Sequence, residues 1–357
     1  MTERERFDDA VGLLRKLIST PSVSRDEKGT ADIIECWLGE CGASPRRIHN
    51  CVWAVAPGYD ESKPTLLLNS HHDTVKPAPS YTRNPFSPDI EGDRLYGLGS
   101  NDAGGPAVSL AAAFMALRSE RLPFNMILAL TAEEEVMGEH GMRAMLPELE
   151  RQGFRVDMAI VGEPTAMQPA VAERGLIVLD CVAKGVTGHA ARNEGVNALY
   201  LALDDIARLR TMTFPRVSPT LGPIKITVTQ IEAGRQHNVV PDECKFVVDV
   251  RTTEAYTNEE TARLINEAIG AEATARSYRV RASVIDSAHP LVKAAESLGL
   301  TPFVSPTTSD MALMPFPSLK IGPGESSRSH SADEFICLSE IEQAIPLYIK
   351  LIKNIKI

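Results

Sequence analysis

The chain has 357 residues, a formal net charge of −10 and an ordinary apolar share of 43%. That length exceeds what one hydrophobic core usually fills, so two domains are expected. The acidic balance argues against a nucleic-acid partner, no apolar run approaches a membrane span, and the charged start Met1-Thr2-Glu3-Arg4-Glu5-Arg6 does not suit a signal peptide. Cys36, Cys41, Cys51, Cys181, Cys244 and Cys337 show no paired zinc spacing, and reduced core cysteines in a cytoplasmic protein are expected.

Residues 5–18 carry Phe7, Val11, Leu14 and Ile18 at helical spacing, and Pro21 closes that helix. A second amphipathic helix is expected over 29–38. The run 65–68 reads as a buried strand that delivers Ser70-His71-His72-Asp73-Thr74-Val75. Residues two apart on an extended chain point the same way. His71 can therefore meet a metal while Asp73 holds its other ring nitrogen, which makes His72 a neighbour rather than a ligand. A surface turn with unrelated histidines is the plain alternative. Residues 95–105 form a glycine-rich turn before an apolar helix over 106–117, and Asp102 there either caps the helix or bridges two metals.

The apolar run 125–130 reads as a buried strand. Thr131-Ala132-Glu133-Glu134-Glu135 leaves its end. Three adjacent carboxylates repel one another and lose solvation unless cations compensate. A solvated acidic first turn of a following helix is the alternative. A buried strand over 157–161 exits into Gly162-Glu163-Pro164-Thr165. The repeated pattern is strand, then acid or histidine, then helix. Open α/β sheets keep ligand sites beyond the carboxyl ends of their strands. His71, Asp102, Glu134, Glu135 and Glu163 are thus expected on one edge, a joint placement far rarer by chance than any single member.

After Glu173 the pattern changes. It predicts a strand over 176–182, a loop over 185–190, a helix over 195–209, strands over 224–231 and 243–250, a helix over 258–269 capped by Asn258, and a last strand over 278–285. This β-α-β-β-α-β order matches the ferredoxin-like motif. Residues 175–283 read as an inserted α+β domain, and 1–174 with 284–357 as a discontinuous α/β domain, a mixed sheet flanked by helices. The latter resumes with a helix over 290–298, a strand over 317–321, a loop over 322–335 and a helix over 338–352. Trp37 and Trp53 read as core. His49, His140 and His289 have no partner pattern and suit surface or helix-end positions.

Five segments stand in the order of a known family: Ser70-His71-His72-Asp73-Thr74-Val75, Gly97-Leu98-Gly99-Ser100-Asn101-Asp102, Thr131-Ala132-Glu133-Glu134-Glu135, Gly162-Glu163-Pro164-Thr165 and Ser329-His330-Ser331-Ala332-Asp333-Glu334. Over nearly its whole length the chain resembles co-catalytic zinc hydrolases of the acetylornithine deacetylase, aminoacylase and carboxypeptidase G type. The resemblance implies a zinc-peptidase-like catalytic domain and an inserted lid and dimerisation domain. It also implies two Zn2+ ions, for which Co2+ can substitute. His71 and Glu163 would hold one ion, Glu135 and His330 the other, with Asp102 bridging. Glu134 would be general base and then proton donor, and Asp73 would orient His71. His189 would reach a partner subunit's site and donate to the oxyanion. Asn238 and Arg251 would contact the substrate carboxylate.

These roles suit the residue types. Glu134 can pass a proton from water to a departing amine, an imidazole can donate to an oxyanion, and a guanidinium suits bidentate capture of a carboxylate. The chain departs from the family where Asp102-Ala103-Gly104-Gly105 lacks a lysine, where Thr131-Ala132-Glu133 lacks an aspartate, and where Gly188-His189-Ala190-Ala191 lacks a serine. Thr74-Val75 and Thr308-Ser309-Asp310 resemble the acetylornithine deacetylase branch. The leading expectation is a homodimer converting N-acetyl-L-ornithine to L-ornithine and acetate in arginine biosynthesis. Desuccinylation of succinyl-ornithine or succinyl-diaminopimelate, deacetylation of N-acetyl-lysine or N-acetyl-citrulline, and dipeptidase or carboxypeptidase activity are the alternatives. A catalytically silent binding homologue is opposed by retention of every proposed ligand and of Glu134.

Overall fold

A computed structural model describes residues 1–192 and 194–357. Two compact units form. The first comprises Met1–Val171, Ile285–Phe303 and Ser309–Ile357, the second Ala172–Val284 and Val304–Thr308. The short return segment Val304–Thr308 groups with the second unit, whereas the sequence left it in the first.

The first unit is built on a mixed sheet. Its strands lie in the order Arg46–Ile48, Cys51–Val55, Asn125–Thr131, Thr65–His71, Met158–Gly162 and Ser318–Lys320. The last four are mutually parallel, and the first two run antiparallel. Parallel strands covered on both faces read as unbroken apolar runs, which is why Thr65-Leu66-Leu67-Leu68 shows no alternation. Successive residues nevertheless serve opposite faces. Leu66, Leu68, Leu128 and Ile160 join helices Glu3–Ile18, Gly105–Leu117 and Leu338–Lys353 in one core. Leu67, Ile127, Ala129 and Trp53 pack on the other face against Met142, Met145 and Leu149.

Helix Met142–Arg151, which supplies those three residues, escaped the sequence reading. Pro147 inside it masks an amphipathic pattern. The strand Cys51–Val55 was also passed over. Trp37 and Trp53 are core, as expected, and His289 caps helix Pro290–Ser297 by accepting from the Leu291 N–H. Among the described residues no helix is long and apolar enough to cross a membrane. All six cysteines are free; Cys51, Cys181 and Cys244 are buried and Cys36 is exposed.

In the second unit the antiparallel sheet runs Lys225–Ala233, Glu243–Thr252, Gly175–Lys184, Glu272–Ala275. Helices Ala198–Thr211 and Asn258–Ala268 close its core with Ile177, Leu179, Phe246 and Val248. Two expectations need correction. The fourth strand is Glu272–Ala275, not 278–285, because Asp205 accepts from the Gly270 and Ala271 N–H groups and starts the strand early. Only Ser283–Val284 of the expected stretch is extended. The cap of helix Asn258–Ala268 is Thr257, whose hydroxyl accepts from the Glu260 N–H. Asn258 instead binds Thr252 and the Tyr278 and Val280 carbonyls.

Candidate metal centre

Three neighbouring parallel strands end side by side. His71 is the last residue of Thr65–His71 and pairs in register with Thr131, while Ser70 pairs with Gly162. That register brings Glu134 and Glu135, just past Thr131, and Glu163, just past Gly162, to the same edge. Asp102 joins them from a tight turn, Ser100–Gly104, that leads into the apolar helix Gly105–Leu117. Its carboxylate does not cap that helix. One oxygen lies 3.3 Å from His71 Nε2 and the other 3.6 Å from His330 Nε2. His330 stands on a loop at φ 56° and meets Glu135 at 2.9 Å. Ligand atoms of His71, Asp102 and Glu135, and separately of His71, Glu134 and Glu163, all lie within 4.8 Å of one another.

His71 Nδ1 faces oxygen on two sides, the Asp73 carbonyl at 3.0 Å and the Asp73 carboxylate at 3.4 Å. A nitrogen so placed must donate, which leaves the lone pair of a neutral ring on Nε2, toward Asp102. The Asp73 carboxylate itself is chiefly an anchor. It accepts from the Glu134 and Glu135 N–H groups at 3.0 and 3.2 Å and from the Ser24 hydroxyl at 2.7 Å. Asp73 therefore ties one strand's exit to the next. His72 is turned away: its ring nitrogens meet the Thr30 hydroxyl and the Asn50 carbonyl, each at 2.9 Å. Burial pushes its imidazole down to about 4.

The centre is electrostatically unbalanced. Burial pushes the Glu134 carboxyl well above its ordinary value; His71 opposes this, and Glu163, Asp310 and Glu135 add to it. Burial likewise pushes Glu163 up to about 8, against His71 and with Asp102. Burial opposes charge on His71, but Asp102 and Asp73 outweigh it and hold the ring well above its ordinary value. Glu135 holds His330 up at about 9. Carboxylates crowded round two histidines draw either protons, as the raised Glu134 and Glu163 show, or a cation. The donors are imidazole nitrogen and carboxylate oxygen with no thiolate, a set that fits a zinc-like divalent ion.

Glu334 and Asp310 are buried acids beside the centre to which the sequence assigns no role. Glu334 accepts from the Gly99, Asn101 and Asp102 N–H groups at 3.1, 2.8 and 2.9 Å. Asp310 accepts from the Thr131 hydroxyl at 2.8 Å. Burial pushes Glu334 up to about 8 and Asp310 to about 6. They close the stretches 329–334 and 308–310, but no local pattern says where their carboxylates go. His49 and His140, expected without partners, stack at 4.2 Å, and His140 Nδ1 lies 3.3 Å from Glu133.

The second unit holds the remaining candidates. His189 and Asn238 are exposed neighbours on a two-stranded ladder, Gly188–His189 against Val239–Val240, where the Asn238 carbonyl accepts from the Ala190 N–H. Arg251 is bidentate to Asp249 at 2.8 and 3.1 Å.

Comparison with known proteins agrees with this geometry. The family model of peptidase family M20/M25/M40 matches residues 67–354. A succinyl-diaminopimelate desuccinylase of Parvibaculum lavamentivorans is 28% identical, covering 95% of this chain and 94% of that protein. The crystal structure of aminopeptidase PepT from Bacillus cereus superposes with a TM-score of 0.78 at 18% identity, covering 98% of each chain. YXEP of Bacillus subtilis, described as a dinuclear metal-binding peptidase, gives 0.74 at 17% identity, also covering 98% of each chain.

Proposed function

Because the chain belongs to peptidase family M20/M25/M40 and is a hydrolase of amide bonds, we propose that it removes the N-acyl group from an N-acyl amino acid with two divalent ions. The observation that carries this reading is the meeting of His71, Asp102, Glu134, Glu135 and Glu163 at one sheet edge. His71 and Glu163 would hold one ion, Glu135 and His330 the other, and Asp102 both. Zinc is the first choice for this donor set, and cobalt a substitute. Bound there, the ions would polarise the scissile carbonyl and acidify a water.

The chain's own groups supply the proton traffic. Glu134, whose carboxyl is pushed up by burial, takes the water's proton on an Oε atom and returns it to the departing amine. Asp73 holds the Glu134 and Glu135 backbone while orienting His71. His189 of a second copy would donate to the oxyanion, so the working form would be a homodimer. Asn238 and Arg251 would take the substrate carboxylate, for which Arg251 must leave Asp249. Sedimentation tests the dimer.

An N-succinyl amino acid, with succinyl-diaminopimelate first, is the leading substrate. Support for it comes from the relative named above, matched along nearly the whole chain. N-acetyl-ornithine is the second reading, supported by the Thr74-Val75 and Thr308-Ser309-Asp310 resemblance. Amine release from succinyl-diaminopimelate, succinyl-ornithine and acetyl-ornithine with zinc or cobalt separates them. Turnover of acetyl-ornithine alone reverses the order, and inactivity on all three with both metals loaded refutes the deacylase reading.

A further inference from the structure

Glu334 is nearly fully buried, and its carboxylate meets the proposed ligand Asp102 at the backbone N–H. It gathers three N–H groups of one turn: Gly99 on one oxygen, Asn101 and Asp102 on the other. Four residues earlier in the chain stands His330. Asn101 completes the tie. Its side chain donates to the Glu325 carbonyl at 3.0 Å and accepts from the Glu325 N–H at 3.0 Å. Gly324 is at φ 84°, and a Cβ there would come within 2.4 Å of the Asn101 oxygen. The turn that carries Asp102 and the loop that carries His330 are thus fastened at both ends of the loop, 324–325 and 334.

We infer that Glu334 is a positioning residue that sets Asp102 against His330, and so builds the metal position formed by Asp102, Glu135 and His330. The inference rests on the two-ion reading above. The other position has its own supports, because His71 is held by Asp73 and Glu163 follows directly from its strand. His330 has no comparable anchor. It is more than half exposed, and the only hydrogen-bond partner of its side chain among the described residues is Glu135. Loss of the Glu334 carboxylate should therefore weaken the Asp102–Glu135–His330 position most, and reach the other only through the Asp102 they share.

Glu334→Gln keeps the volume but sets an NH2 against an N–H donor, since three donors face what is then a single acceptor oxygen. Metal titration of the purified full chain by calorimetry, with Co2+ absorption as a second readout, tests this. The expected result is two ions for the parent. For Glu334→Gln, one ion should bind close to parental affinity and the second about 10–100-fold more weakly, as for other groups that orient a ligand. Asp333→Asn, whose neighbouring carboxylate binds the Thr82 and Arg83 N–H groups instead, should bind as the parent does. Two ions of parental affinity in Glu334→Gln overturn the inference and leave the metal reading intact. Parental protein that takes up fewer than two ions overturns both. Should Glu334→Gln melt below the assay temperature, Asn101→Asp, which turns the donor to Glu325 into an acceptor, gives the same selective loss if the inference holds and parental binding if it fails.

Discussion

At the residue scale, two side chains adjacent in sequence have opposite fates. His71 and His72 leave the same strand; one enters the acidic cluster and the other a neutral niche between Thr30 and Asn50. The His-x-Asp spacing was readable, because residues two apart share a side. That Asp73 spends its carboxylate mainly on the Glu134 and Glu135 backbone was not, because a spacing says nothing of distant N–H groups. Glu134→Gln should lower amide hydrolysis by at least about 100-fold with both ions still bound, as steady-state rates and metal analysis will check. His72 gives a second test. Its folded value of about 4 lies below the ordinary one of 6.5, so its neutral form contributes stability above pH 6.5 that is lost as pH falls toward 4. The loss is roughly 3 kcal/mol at most. Urea melts of parent and His72→Asn should differ in their pH slope across that window; parallel slopes refute the assignment.

At the element scale, the centre depends on where strands stop. Thr65–His71, Asn125–Thr131 and Met158–Gly162 are legible as apolar runs, and each run ends where a polar residue must face water or a ligand. Their neighbour Ser318–Lys320 leads to Gly322, where a Cβ would come within 2.5 Å of the Glu163 carbonyl oxygen. Gly322→Ala must therefore shift the backbone at Glu163. Its cost should be about 1–3 kcal/mol in urea unfolding, as for overpacking generally. Elements without a clean period were missed for physical reasons. Pro147 interrupts a helical pattern, and in Glu272–Ala275 pairing to Gly175–Lys184 overrides weak strand propensity. Thr257→Ala should cost about 1 kcal/mol, the usual worth of a side-chain N-cap, by the same measurement.

For the whole molecule, the metal-free centre carries charge that folding confines. Glu163, raised from 4.5 to about 8, stabilises the fold below pH 4.5 and loses that contribution as pH rises to 8. His330, raised from 6.5 to about 9, loses its own between 6.5 and 9. Both signs agree, so metal-free protein should melt progressively lower from pH 6.5 to 9. Divalent metal should restore it, and more so at the higher pH, because binding to the folded state alone stabilises it. A metal-independent melting curve would contradict the centre. The sequence by itself determined the apolar strands, the acid or histidine at each strand exit and the family resemblance, because hydrophobic period and strand termination are local properties. Only the tertiary structure decided that His330, from a loop 195 residues beyond Glu135, meets it, and that Glu334 and Asp310 turn inward. Register between strands and the closure of long loops set those contacts, and neither is written in any single stretch of chain.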